Sequence, residues 1–418
     1  MGKYRVVIRA FTLRRDVGIA IVLARVLEAK GCEVLVASSR NFPDILSKWK
    51  PHAVVINTNS QIDVVKRLAP EAVLICLHGE GAQDKDTSYV RDLSRTPDRY
   101  EQLDRVLIWG RRARPWFDEL MPGYDHQAKV LLCGNPRMDF IKFNPDLQAG
   151  RANRKSIGVT GRFHQLNYFD GRPTIFALLK EENLLPVIKQ AESFSLVAQA
   201  VRFLAENSDA PISIRPHPLE APEGYWCVRE HISDRIEIDA SLDFVDWAAR
   251  QRVIMMPSST SFLEAYLLGV PLINITRITQ GSGRTDEPLA AMSQTLSLLP
   301  ESLEELLEML EGALPEVGKV EEIDRHLDEV HDFFYEGSSV LRSANAIVAA
   351  IEERGFRARL HWPTAAVELR DDIRFRRLVR REPLHPNFSY KSGYHEVPAH
   401  YQTIVENILA SEKTGASR

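Results

Sequence analysis

PSSTSFLEAYLLGVPLINI, residues 257–275, is the stretch on which the fold turns. The apolar run 253–256 reads as a buried strand that stops at Pro257, and Ser258, Ser259, Thr260 and Ser261 follow it. A short helix then carries Phe262, Ala265 and Tyr266 on one face, Gly269 ends it, and Pro271 opens the next apolar run at 272–275. Short, continuously apolar strands separated by helices are the signature of a parallel sheet covered on both faces. A helix N-terminus leaves backbone N–H groups unpaired and carries a partial positive charge. Four consecutive hydroxyl residues at that point therefore suit a phosphate, although Ser and Thr also serve as ordinary caps. Glu264, in the first turn, suits ribose hydroxyls or simply complements the helix dipole.

Working outward, the same alternation fills the chain. Strands are expected at 4–10, 33–37, 53–57, 72–77, 106–109 and 129–133, then at 156–160, 212–215, 235–238, 253–256 and 272–275, with a long helix over 184–207. The pattern breaks at FNPDLQAGRANRK, residues 143–155. This predicts an α/β protein with two Rossmann-like doubly wound domains facing a central cleft. The expected boundaries are residues 1–142, a linker at 143–155, a nucleotide-side domain at 156–355, and a tail at 356–418. A length of 418 residues is in keeping with two cores. The acidic stretch 301–332 is expected to be helical and mostly solvated.

The other loops at strand ends carry further candidates. In ISIRPHPLE, residues 212–220, two prolines frame His217, and Arg215 and His217 together suit a phosphate, with His217 donating to a leaving oxygen. In HGEGAQDKD, residues 78–86, His78 and Glu80 alternate with glycines and read as an acid–base pair or as a simple turn. Asp16, in TLRRDVG at 12–18, is either a third base or a helix cap. Gly161 and Arg162, in TGRFHQLN at 160–167, suit a close phosphate approach. Arg137 and Asp139, in CGNPRMD at 133–139, read as interdomain or ligand contacts.

Composition bounds the rest. The 44% hydrophobic and 26% charged fractions are ordinary, and a net charge of −4 gives no reason to expect a nucleic-acid partner. The four scattered cysteines read as reduced thiols of a cytosolic protein. The N-terminus runs straight into a strand without a signal core, and no apolar run reaches the roughly 18 residues of a membrane span. A cytoplasmic protein, peripheral on the inner face of the cytoplasmic membrane, is the expected setting. Residues 370–391 carry seven basic residues (Arg370, Arg374, Arg376, Arg377, Arg380, Arg381 and Lys391) against Asp371, Asp372 and Glu382. Interleaved apolar residues make this segment either a contact with anionic lipid, where a lipid-linked acceptor would sit, or a strap back to the first domain. Residues 398–410 would be the returning helix. There is no GxxxxGK[ST] loop, no GxGxxG after the first strand, no metal-ligand spacing and no GxSxG elbow, which weakens P-loop, hydride-transfer and hydrolase readings.

The series HGEG, CGNPRMD, IRPHP, SSTSFLEAYLLGVP and GSSVLRSANAI (337–347) resembles the bacterial surface carbohydrate biosynthesis proteins of the GT-B glycosyltransferase fold. It is similar, more distantly, to the teichoic-acid type glycerophosphotransferases. The resemblance spans about residues 70–350. It implies a metal-independent transferase of surface polysaccharide or lipopolysaccharide biosynthesis, with a nucleotide-sugar substrate (CMP-linked among the options), a glycan or lipid-linked acceptor and no separate cofactor. It further implies that Arg215, His217, Ser258, Ser259, Thr260 and Glu264 bind the donor, and that His78 matches a proposed catalytic histidine. The loop here lacks the proline and basic residue of the glycerophosphotransferases, which leaves Glu80 as a base. His78, Glu80 or Asp16 would deprotonate the acceptor in an inverting reaction, whereas a retaining one would need a carboxylate nucleophile. The alternatives are a nucleotide-sugar epimerase or hydrolase, a CDP-polyol phosphotransferase, or a non-catalytic sugar-nucleotide binding protein.

Overall fold

The computed structural model describes residues 4–81, 83–149, 154–168, 184–257, 259–278, 288–355, 361–381 and 398–415. The chain forms two compact units. The first comprises residues 1–144, 324–384 and 388–418, and the second residues 145–323 and 385–387.

The first unit is built on six parallel strands: β1 Tyr4–Ala10, β2 Cys32–Ser38, β3 Ala53–Ile56, β4 Val73–Leu77, β5 Arg105–Ile108 and β6 Val130–Leu132. Their order is β2-β1-β3-β4-β5-β6, so the chain reverses its direction of winding between β1 and β3. Every residue of β3 and β4 is buried, which is why these strands read as unbroken apolar runs. The helix Gly18–Ala29 packs between the sheet and two late helices, Ser339–Arg354 and Ala399–Gly415. Being covered on both sides, it buries Val22, Leu23, Val26 and Leu27 completely or nearly so. A Cβ at Gly18 would lie 2.6 Å from the Tyr401 hydroxyl, so the close approach of the returning C-terminal helix requires glycine there.

The second unit repeats the architecture with β7 Ser156–Thr160, β8 Ile212–Arg215, β9 Ile236–Ile238, β10 Gln251–Met255, β11 Leu272–Ile273 and β12 Ser297–Leu298. The order is β12-β11-β10-β7-β8-β9, again all parallel. The winding reverses between β7 and β10. The long helix Leu184–Asn207 covers one face through Leu196, Val197, Ala200, Val201 and Leu204. The strand β12 has two residues and no apolar run of its own, and it escaped the sequence reading.

The α/β class and the two Rossmann-like domains are as read from sequence. The division of the chain differs at one place: residues 324–355 pack in the first unit and do not close the second. One of the ties is Asp139, which is fully buried and accepts from Ser338 Oγ (2.6 Å), Ser339 N (3.2 Å) and Val340 N (2.8 Å). It thereby holds the start of the helix Ser339–Arg354 against the first sheet, and acts as a cap inside one unit rather than an interdomain or ligand contact. The stretch 301–332 forms two helices, Leu303–Glu311 and Glu321–His331. The second of these buries Ile323, His326, Leu327, Val330 and His331, so it is less solvated than its acids suggested. Cys32, Cys76 and Cys133 are buried free thiols, and Cys227 is exposed. No helix among the described residues is long and apolar enough to cross a membrane.

Candidate functional site

In the first unit, the loops after β1, β3 and β4 meet at the point where the winding reverses. They line a small cavity of ≈ 40 Å³ with Arg9, Asp16, Asn57, His78, Gly79 and Trp109. Crevices at such switch points are the ligand sites of open α/β sheets. Asp16 Oδ2 accepts from the backbone N–H of Phe11 (3.1 Å) and Thr12 (2.9 Å) and from Asn57 Nδ2 (2.8 Å), while Oδ1 takes Arg15 Nε at 3.0 Å. With both oxygens so engaged, this carboxylate ties the loop and is poorly placed to take a proton. Asn57 Oδ1 in turn accepts from Arg9 Nη1 (2.8 Å), and Arg9 Nη2 donates to Ser39 Oγ (3.0 Å). Sequence reading missed this network, because its members lie on three segments, at the carboxyl ends of β1, β2 and β3.

His78 stacks on Tyr89, with ring centroids 4.4 Å apart and 11° between planes. Burial pushes its pKa down to about 4, against the opposing pull of Glu80, so the imidazole is neutral near pH 7. Its Nδ1 accepts from the backbone N–H of Glu80 at 3.3 Å, which puts the ring proton on Nε2. Glu80 bonds Arg15 Nη1 and keeps a side chain 66% exposed. Of the three carboxylate and imidazole candidates here, it is the most exposed. Gly81 sits at φ +67°, and a Cβ there would come within 2.3 Å of the Trp109 ring. The second glycine of HGEG is therefore a packing requirement.

In the second unit, the loops after β7, β8 and β10 carry the remaining candidates. Gly161 leaves room for the folded-back ring of Phe163, which a Cβ would meet at 2.0 Å. Arg162 is exposed beside it. His164 and His217 lie side by side, ring centroids 5.4 Å apart. His217 Nδ1 accepts from Leu219 N at 3.2 Å, which makes Nε2 the proton-bearing nitrogen of the neutral ring. Ser259 Oγ bonds Ser261 Oγ (3.1 Å) and accepts from Ser261 N (3.2 Å) ahead of the helix Phe262–Leu267, with Glu264 buried in its first turn. Thr260 lies between them, and Ser258 falls outside the described residues.

Arg215 is spent elsewhere. It is buried at 5% exposure and bonds Asp239 Oδ1 (2.5 Å), Ser241 Oγ (2.8 Å) and the Ser241 carbonyl (3.0 Å). Its charge is matched by a buried carboxylate, so the fold uses it as a strut between the ends of β8 and β9. The accessible guanidinium of this group is Arg162. Glu220 was also missed: fully buried, it accepts from Phe163 N (2.6 Å) and the Tyr225 hydroxyl (2.5 Å) and so pins the β7 loop to the β8 loop. Its place at the end of ISIRPHPLE was visible, but its partners were not.

No protein-family model and no curated protein matches the sequence. Solved structures do match in shape. A variant of the wall teichoic acid polymerase TagF is 11% identical over 84% of this chain and 90% of that chain, with a TM-score of 0.51. The UDP-GlcNAc 2-epimerase of Methanocaldococcus jannaschii, in complex with UDP-GlcNAc and UDP, is 13% identical over 82% and 99%, with a TM-score of 0.49. The Neisseria meningitidis UDP-GlcNAc 2-epimerase bound to UDP-GlcNAc is 12% identical over 84% and 100%, with a TM-score of 0.47. At 11% identity the likeness to the TagF variant speaks to the fold alone, and with the two sheet topologies it is that of the GT-B class.

Proposed function

We propose that this chain is a GT-B transferase of bacterial surface polysaccharide biosynthesis that takes its sugar from a nucleotide-linked donor. The observation that carries this reading is the β7/β10 switch point of the second unit. There an exposed Arg162, the paired rings of His164 and His217, and the hydroxyls before Phe262 come from three loops. A phosphate is recognised by that combination of cation, imidazole N–H and hydroxyl donors. In the first unit, the exposed Glu80 is the candidate to accept a proton from an acceptor hydroxyl. Arg162 and His217 would receive the departing nucleotide phosphate. Arg15 and Asp16 hold Glu80 and its loop, and the neutral His78 shapes the floor.

The test is a thermal-shift panel of CMP, CDP, UMP, UDP, GDP and ADP on wild type, Arg162→Ala and His217→Ala, because a ligand that binds the native state raises the midpoint. A shift selective for cytidine nucleotides and lost in both variants supports the reading and names the donor class. A uridine-selective shift redirects the search to hexose donors, and product analysis with UDP-GlcNAc alone then separates transfer from epimerisation. No shift with any nucleotide sinks the proposal.

A further inference from the structure

We propose that the helix Thr364–Arg381 is an interfacial helix that docks the first unit on an anionic lipid surface. This deepens the transferase reading by placing its acceptor on a membrane, and rests on it only for that purpose. The inward face of the helix is fixed to the protein. Val367 is buried; Trp49 Nε1 donates to Thr364 Oγ1 (2.9 Å), Asn41 Nδ2 donates to Asp371 Oδ2 (2.9 Å), and Arg374 pairs with Asp44. Val367 and Asp371 are four residues apart and so share one stripe.

The opposite stripe holds Leu369 and Ile373, also four apart, at 63% and 41% exposure, with Trp362 at 45% just before the helix. Arg376 and Arg377 follow on the same side, three and four residues beyond Ile373, and both are exposed. Of the nearby acids, Asp371 faces Asn41, Asp372 pairs with Arg376 at 2.7 Å, Asp44 pairs with Arg374, Lys48 and Arg370, and Glu368 lies half-buried beside Leu369. Lys48 and Arg370 flank the Trp362 ring at 5.9 and 5.7 Å, so that end too joins an aromatic ring to cations. Two aliphatic side chains and a tryptophan pointing outward, edged by arginines, match the chemistry of a bilayer interface with anionic headgroups. A protein partner or a second copy would satisfy the aliphatic pair but gives no reason for the surplus of cations around it.

The experiment is co-sedimentation of the full chain with phosphatidylcholine vesicles, with and without phosphatidylglycerol. Wild type pellets with the anionic vesicles only, and added salt releases it. Arg376→Ala with Arg377→Ala weakens partition by about 25-fold, roughly fivefold per arginine, and Leu369→Ser with Ile373→Ser weakens it about tenfold or more. All four positions are exposed, and an unchanged thermal midpoint shows that the fold survives. Equal binding to both vesicle types, variants that bind like wild type, or a dimer broken by Leu369→Ser without any lipid binding would each overturn the proposal. Vesicle binding in a protein that shows no nucleotide shift would leave this proposal standing while removing the donor reading.

Discussion

Lowering the pH should cost this protein stability well before its carboxylates titrate, because two histidines are buried as neutral rings. His326 Nε2 donates to Gln83 Oε1 at 3.1 Å, and His331 Nδ1 accepts from Asn135 Nδ2 at 2.9 Å. Burial, reinforced by Arg112, pushes His326 down to about 4, and burial, reinforced by His326 and Arg137, pushes His331 down to about 3. Each folded pKa lies below the unfolded value of about 6.5, so the unfolded chain binds the extra proton. Stability is therefore complete above about pH 6.5 and falls as the pH drops toward 4 for His326 and toward 3 for His331. At about pH 5 the linkage amounts to about 2 kcal/mol for each ring, and almost nothing at about pH 7.5. Together that is about 4 kcal/mol, a large share of the 5–15 kcal/mol that holds a typical domain. Urea unfolding followed by tryptophan fluorescence at the two pH values measures it. His326→Gln keeps a donor for Gln83 and His331→Asn keeps an acceptor for Asn135, and neither titrates. Each variant should start less stable near neutral pH yet lose about 2 kcal/mol less on acidification. Parallel losses in wild type and both variants would refute the assignment of these rings as buried and neutral.

Four other substitutions probe the two sites. Arg215→Met leaves Asp239 buried with half its charge partners gone and should cost about 3 kcal/mol in urea unfolding; Arg162→Ala should leave the unfolding midpoint unmoved while removing the nucleotide-induced thermal shift. Gly81→Ala combines a left-handed φ of +67° with a methyl 2.3 Å from Trp109, and a loss of at least about 1 kcal/mol in the same assay is expected. Glu220→Ala strands the Phe163 N–H and the Tyr225 hydroxyl, so about 3 kcal/mol should be lost, with weaker nucleotide binding read by calorimetry.

The architecture was legible because parallel strands buried on both faces must be apolar throughout, and AVVI at 53–56 or VLICL at 73–77 cannot be mistaken for amphipathic segments. Where burial depends on a partner distant in sequence, that signal fails. The helix Glu321–His331 looks solvated by composition, yet Ile323, Leu327 and Val330 form a buried stripe at helical spacing, and His326 and His331 go in with them. The membership of residues 324–355 in the first unit rests on contacts far apart in sequence, Asp139 with Ser338, Asn135 with His331 and Gln83 with His326, each about two hundred positions or more apart. Local pattern carries no trace of such a closure.

Residue chemistry at strand ends singles out loops, but a side chain's role there is set by what neutralises it. Arg215 and Arg162 both lie at the carboxyl ends of strands, and the more suggestive of the two was Arg215, framed by IRPHP. The fold supplies Asp239 and Ser241 to Arg215, which turns a candidate phosphate ligand into a brace. It leaves Arg162 exposed after a glycine that allows Phe163 to fold under it. The same logic separates Asp16, whose oxygens accept four hydrogen bonds, from Glu80, which is held by Arg15 and open to solvent. A buried ion that has its counter-ion is costly to disturb and offers a ligand little, whereas an exposed one keeps its donors available. The proposed binding and catalytic candidates are therefore the exposed Arg162 and Glu80 and the half-buried His217, and the buried Arg215, Glu220 and Asp16 brace the loops beside them.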